Sequence, residues 1–299
     1  MNLTQILINS LVRASELGLI AMGVTLVFSL LRFANFAHGE LALIGAYLAY
    51  ALSAAGLDLW LAIPVSAVAT GFIAVAIDKA LFARVRTAPG LVLLVASMGL
   101  SLFLKNIVGA IWGTKSYSFE GSLARSFSFA GGFITSTQVT ILVVSVIAML
   151  CFHLLLSHTR LGRAMRALAD DSELARARGI RVEAIISRVW FIVGSYAALG
   201  GALIGLETVI SLELGYSVIL PAFAAAVLGG IGSVHGAMLG ALIIGLAENI
   251  VLAIDWSFLP FASGPLYIDT GYKLAVAFLV MVAVLILRPR GLFQGTSGD

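Results

Sequence analysis

The sequence predicts an all-α, polytopic bundle of membrane-spanning helices, with eight to nine membrane segments. Three observations carry that prediction. Apolar residues make up 61% of the chain and charged residues only 11%, against about 25% charged in soluble globular domains. The 18 basic and 15 acidic side chains cannot coat a soluble body of 299 residues, and a disordered chain would need the opposite balance. The apolar residues also fall in long runs. A helix rising about 1.5 Å per residue needs about 20 apolar residues to cross about 30 Å of hydrocarbon. Nine runs fit that ruler, near 14–31, 38–55, 60–81, 91–112, 137–157, 188–210, 217–234, 236–255 and 271–288. They are too long and too uniformly apolar for the alternating ten-residue strands of a membrane barrel. Finally, 31 glycines are scattered through the chain, and small residues let membrane helices pack closely.

The elements follow from the charges that punctuate them. No basic residue occupies the first nine positions and no cleavage site follows, so no signal peptide is evident and the first helix is expected to be retained. Arg13 and Glu16 place charges in the first segment, and Arg32 follows it. Asn35, His38 and Glu40 lie between the first and second segments. Lys79, Arg84 and Arg86 follow the third segment, and Arg288 and Arg290 follow the last. Glu207 lies near the end of the sixth segment, and Glu248 and Asn249 lie deep in the eighth. Between the fifth and sixth lies a charged loop, 158–188, with seven arginines at 160, 163, 166, 176, 178, 181 and 188. If the nine segments cross alternately, 13 of the 18 basic residues share one side. The positive-inside rule makes that side cytoplasmic, with the N-terminus outside and the C-terminus inside. A re-entrant 217–234 segment would break this parity. The expected organisation is one transmembrane domain, 1–299, containing the loop.

That loop reads as two short helical pieces. Asp171 is placed to cap the second piece, Glu173 lies in its first turn, and Gly179 stands just past its end. So short a helix needs a docking surface. It is either a solvated topogenic loop or a contact for a cytoplasmic partner.

Several polar residues are expected inside the membrane, where a charge costs about 2.5–3.5 kcal/mol and usually faces a cavity or a partner. Arg13 and Glu16, spaced i, i+3, suit an ion pair near the outer interface. Two readings fit Asn35, His38 and Glu40: a helix break lining a solute path, or a turn with Glu40 in the next helix's first turn. Glu207, Glu248 and Asn249 are further path candidates. Glu248 has no basic neighbour one turn away, so its partner comes from another element. It serves either a path or subunit contact, or a structural hydrogen bond. Gly39, Gly229, Gly230, Gly232 and Gly236 suit close helix packing or a backbone bend. His38-Gly39-Glu40 with Gly45-Ala46 also echoes His235-Gly236-Ala237 with Gly240-Ala241, a short match that fits related transporter halves and fits coincidence in a Gly/Ala-rich chain equally well.

Other chemistries find little support. Cys151 is the single cysteine, which excludes an internal disulfide framework and a cysteine-based zinc site. His38, His153, His158 and His235 form no H-E-x-x-H motif, so no metal or cofactor is expected. The basic residues cluster at helix ends and call for no nucleic acid. Ser233 and His235 are two apart and do not face each other on a helix, which argues against a membrane serine hydrolase.

Four stretches, in order, resemble a known family. Gly23 to Glu40 with Gly45-Ala46-Tyr47 is similar to its N-terminal signature, and Gly162 to Asp171, through Ala175 to Gly179-Ile180, to its cytoplasmic coupling loop. Phe223 to Ser233 with Gly236-Ala237 and Gly240 is similar to its C-terminal signature, and Arg288 to Phe293 to its closing motif. The family is that of LivH-type permeases, the membrane subunits of branched-chain amino acid ABC importers. The resemblance implies a bacterial inner-membrane permease, not an enzyme, that translocates branched-chain or other hydrophobic amino acids. It implies a second homologous permease subunit, two cytoplasmic ATPase subunits and a periplasmic solute-binding protein, besides membrane lipid. It assigns ATPase coupling to Arg163, Arg166, Ala169, Asp170, Asp171, Glu173, Ala175, Gly179 and Ile180. The chain's lack of a G-x-x-x-x-G-K-[ST] phosphate loop fits ATP binding on another subunit. Related permeases also serve urea, short amides and small organic acids. An ATPase-independent secondary transporter or channel is the rival reading.

Overall fold

The computed structural model describes residues 2–119, 125–230, 232–257, 267–288 and 291–292. Pro289, Arg290 and Phe293 of the closing motif, and Ile231 of the glycine run, lie outside the described residues. The helices are α1 Leu3–Leu31, α2 His38–Ala54, α3 Leu59–Ile77, α4 Ala83–Val85, α5 Gly90–Trp112 and α6 Ser136–His158. They continue with α7 Arg160–Asp170, α8 Ser172–Ala177, α9 Val182–Glu207, α10 Leu214–Gly229, α11 Val234–Ala253 and α12 Lys273–Leu287. A π-helical turn, Asp78–Phe82, joins α3 to α4 in one continuous span. Among the described residues, seven helices are long and apolar enough to cross a membrane, and α2 and α10 are shorter apolar helices.

Two boundaries differ from the sequence reading. Helix α1 begins at Leu3, well before the expected start at 14. Arg13 and Glu16 read as polar interruptions, but they turn inward, while Leu3, Leu7 and Leu11 form an exposed apolar stripe at four-residue spacing. The expected 217–234 segment stops earlier, at Gly229. Gly230 and Gly232 have φ of 101° and 95°, a region that costs other L-residues and ends the helix. The Ser233 hydroxyl then accepts from the Gly236 N–H at 3.1 Å and caps α11. A short hairpin also appears where no element was expected. Its strands, β1 Ser126–Phe129 and β2 Gly132–Thr135, pair antiparallel with Phe127 opposite Ile134. Thr135 and Gln138 form a capping box that starts α6 directly after it.

Contacts at the two ends of the bundle show the alternation of the spans. At one end Asn2 and Thr4 donate to the carbonyls of Gly131 and Ala130 in the hairpin, at 2.8 and 2.9 Å. At the other end Arg32 reaches the Ala169 carbonyl at 3.4 Å, and the Leu292 N–H donates to Leu228 at 2.9 Å. Residues 2 and 292 therefore lie at opposite ends, and the arginine-rich α7–α8 connection shares the end that holds residue 292.

Helices α1, α2 and α9 form the interior. Every residue of α2 from His38 to Tyr47 is buried, whereas α5, α6 and α12 present long apolar faces outward. Apolar packing gains little where the surroundings are as apolar as leucine, so close backbone approach has to hold the helices together. Gly201 of α9 packs on the Ala42 backbone of α2, and Gly45 of α2 on Ala198 of α9. A Cβ at either glycine would overlap its neighbour. Gly229 and Gly236 bring α10 and α11 together backbone to backbone.

Candidate functional site

The connection between α1 and α2 is a break at mid-depth. The His38 Nε2–H donates to the Ile20 carbonyl at 3.0 Å. Ile20 stands near the middle of α1, so α2 starts level with the centre of α1 rather than at its end. Residues 32–37 climb back from the end of α1 without regular structure. Six residues reach about 20 Å when extended, enough for the eleven-residue rise of roughly 16 Å from Leu31 back to Ile20. Irregular backbone at this depth is tolerated only where protein or a cavity satisfies it. Ser97 of α5 does much of this. It accepts from the Phe36 N–H at 3.1 Å and lies 3.3 Å from the Ala34 carbonyl. The Asn35 side chain accepts from the Ala37 N–H at 3.2 Å. Phe36 stacks in a tilted geometry on Phe223 of α10, with centroids 5.2 Å apart.

Glu40, in the first turn of α2, points its carboxylate at α5 and α10. Its Oε1 accepts from the Ser101 hydroxyl at 3.0 Å, while Oε2 is buried without a partner. Gly215 of α10 packs directly on that carboxyl group, with no room for a Cβ between them. One turn above Ser101, Lys105 donates to Glu213 at 2.7 Å. Ser97, Ser101 and Lys105 recur every fourth residue and so share one face of α5. Ser101 is the central residue of that 23-residue helix, which puts Lys105 only about 6 Å from its midpoint. Lys105, Glu213 and Tyr216 are open on this chain, with Lys105 28% and Glu213 70% exposed at the side chain. A lysine this near the bilayer centre costs about 2.5–3.5 kcal/mol against lipid. The polar face of α5 and α10 is thus poorly suited to lipid. Sequence reasoning missed Ser97, Ser101, Lys105 and Glu213, although the i, i+4, i+8 spacing on α5 was a usable signal.

A second polar cluster lies toward the hairpin end. Arg13 Nε donates to Glu248 Oε2 at 3.0 Å, and its Nη1 stands 3.7 Å from Glu16 Oε2. Glu248 thus finds its cation on α1, 235 residues away. Glu207 is exposed and accepts from Gln138 at 3.1 Å. The Asn249 amide donates to Gly245 within its own helix at 2.8 Å. The path candidates therefore separate into two places: Asn35, His38 and Glu40 at the break, and Glu207 and Glu248 near the hairpin end.

The charged connection folds as α7 and α8. Asp171 caps α8, its Oδ1 accepting from the Glu173 and Leu174 N–H groups at 2.9 Å. At the other end Ile180 N–H donates to Ala175 and Gly179 N–H to Arg176, at 3.1 and 3.0 Å. With Gly179 at φ 83° this is a Schellman motif. Ala175 is buried against the bundle, while Leu174, Glu173 and Arg176 face outward. Arg163 and Asp170 lie on α7, and Arg166 of α7 holds the Leu156 carbonyl. Two ties link this unit to the bundle: Arg32 to Ala169, and a charge chain in which Arg176 neighbours Glu183, Glu183 pairs with Arg86, and Arg86 pairs with buried Asp78 at 2.7 Å. Sequence reasoning treated Arg86 as topogenic and did not single out Asp78.

The histidines and Ser233 form no catalytic set. Ser233 is an N-cap, and His235 hydrogen-bonds His153 at 2.6 Å. Among the described residues no group of three or more candidate ligands can hold a metal ion.

Comparisons with known proteins agree with this architecture. Residues 6–285 match the model of a family described as branched-chain amino acid transport system / permease component. The chain is 34% identical to the high-affinity branched-chain amino acid transport system permease protein LivH of Escherichia coli K12, covering 96% of this chain and 94% of that protein. It is equally identical, with the same coverage, to the corresponding permease protein BraD of Pseudomonas aeruginosa. The probable branched-chain permease protein LivH of Methanocaldococcus jannaschii is 29% identical over 96% of this chain and 91% of its own length.

Proposed function

Because the chain belongs to the family of branched-chain amino acid transport system permease components, we propose that it is the membrane subunit of an ABC importer for branched-chain or other hydrophobic amino acids. It is a multi-pass membrane protein. In this reading it sits in the bacterial inner membrane, with the N-terminus and hairpin outside and the α7–α8 end in the cytoplasm. The whole chain acts as one permease domain, with 158–188 as its coupling loop. A binding protein delivers solute at the hairpin end. Solute passes beside a second, homologous permease subunit, along the polar face of α5 and α10. Two ATPase subunits dock on α7–α8, where Arg163, Arg166, Ala169, Asp170, Asp171, Glu173, Ala175, Gly179 and Ile180 build the contact or its caps. The chain itself hydrolyses nothing.

The observation that supports coupling most directly is the α8 unit. It is capped at both ends, exposes Leu174 and its charged side chains, and is tied through Glu183 and Arg86 to Asp78 beneath it. ATP binding and hydrolysis on the partners favour different membrane states, and a rigid α8 carries that bias into α3 and α9. The test is gentle purification of the tagged chain from its native membrane, followed by mass spectrometry. The reading predicts two ATPases and a second permease in stable stoichiometry. A bare homo-oligomer, under conditions that preserve a known importer, would instead support a self-sufficient transporter or channel.

A further inference from the structure

We infer that Glu40, Ser101 and Lys105 form a site that reads the zwitterionic head group of the solute: the Glu40 carboxylate takes the α-ammonium and Lys105 takes the α-carboxylate. This rests on the importer reading and adds a ligand chemistry to it.

The site is built rather than incidental. Glu40 is 2% exposed, and only one of its oxygens is used, by Ser101. The other, Oε2, has no donor, and a buried acceptor left unpaired is costly. It sits at the start of a helix that begins at mid-depth. In broken-helix transporters that is where solute sites lie. Gly215 packs directly on the Glu40 carboxyl group, and it belongs to α10, whose N-cap Glu213 and first-turn Tyr216 are open. A small shift of α10 away from α2 uncovers the carboxylate toward the α5–α10 face without breaking any hydrogen bond of Glu40.

The charge order along that face suits a zwitterion. The Glu40 carboxyl group comes first, the Ser101 hydroxyl lies beside it, and the Lys105 ammonium stands one turn above on the same side of α5. Lys105 is held by Glu213. A solute carboxylate can take the place of Glu213 because it offers Lys105 the same kind of charge-assisted hydrogen bond. A charged ammonium with three N–H donors satisfies Glu40 Oε2 better than a hydroxyl or amide would.

The test uses the complete assembled complex in detergent, without binding protein, and follows its thermal stabilisation by leucine, isoamylamine (no carboxylate) and 4-methylpentanoate (no ammonium). Glu40→Gln keeps the acceptor for Ser101 and removes the charge. It should raise the half-saturating concentration of both leucine and isoamylamine by about tenfold or more, and leave 4-methylpentanoate unchanged. Lys105→Met alters a partly exposed side chain and provides the second arm. It should weaken leucine and 4-methylpentanoate and leave isoamylamine unchanged. Equal leucine response in wild type and Glu40→Gln, equal loss of all three ligands, or no response in wild type would overturn the proposal. The importer reading fails separately, if wild-type proteoliposomes show no ATP-driven amino-acid uptake.

Discussion

At the residue scale, the buried charges decide most. Arg13 serves Glu248 and Glu16 at once, and both carboxylates are nearly inaccessible. Removing one partner of a buried pair costs about 3–5 kcal/mol, whereas replacing both with apolar groups is often neutral. Arg13→Ala should therefore lower the melting temperature of the purified complex markedly. Arg13→Met combined with Glu248→Met should recover part of that loss. Equal melting of wild type and Arg13→Ala would show that the cluster holds nothing together. The sequence showed that Glu248 lacks a local partner. It did not show which residue supplies one, because the pairing spans 235 positions and arises only when α1 and α11 run antiparallel. Glu40 is similar: its place in a first turn was legible, while its contact with Ser101 and Gly215 depends on where α5 and α10 cross.

At the element scale, the local signals were the most readable. The N-cap at Asp171 and the terminating Gly179 are written in adjacent residues, and α8 forms between them. The same features make α8 easy to disrupt. Asp171→Arg removes a cap worth about 0.5–2 kcal/mol. Gly179→Val forces a β-branched residue into the left-handed region, at about 1–2 kcal/mol. Each substitution should cut ATPase stimulation by loaded binding protein several-fold in proteoliposomes, while membrane insertion and permease pairing stay intact. Ser172→Ala, at an exposed position that makes no cap, should be neutral. Normal coupling in both variants would remove the docking role from this loop. The break before α2 was harder to read. Composition marks a gap in hydrophobicity at residues 32–37, but its depth depends on the His38 bond to Ile20.

At the scale of the whole molecule, the hydrophobic runs marked the membrane helices: among the described residues seven fold as helices long enough to cross alone, while those of α2 and α10 fold as shorter helices whose lengths the runs did not show. The start of α1 was misplaced for the same reason that its charges matter: a hydropathy ruler stops at Arg13, while the folded bundle turns it inward onto Glu248 and Glu16. The basic side chains of Arg32, Arg86 and the α7–α8 connection gather at one end, which the proposed reading, by the positive-inside rule, takes as cytoplasmic. Orientation is testable with membrane-impermeant thiol reagents in a Cys151→Ser background. A cysteine at Ser128 in the hairpin should label from the outside of intact cells, and one at Ser172 only after the membrane is opened. The reverse pattern would invert the topology and put the proposed ATPase dock on the wrong face.

Solute uptake tests the central claim most directly. The chain, its partner permease and the two ATPases are reconstituted into proteoliposomes with ATP enclosed, and radiolabelled leucine is presented on its binding protein outside. The account predicts accumulation against a gradient that requires both ATP and the binding protein, and that Asp171→Arg abolishes. Leucine entry that proceeds equally without ATP or the ATPase subunits would contradict it.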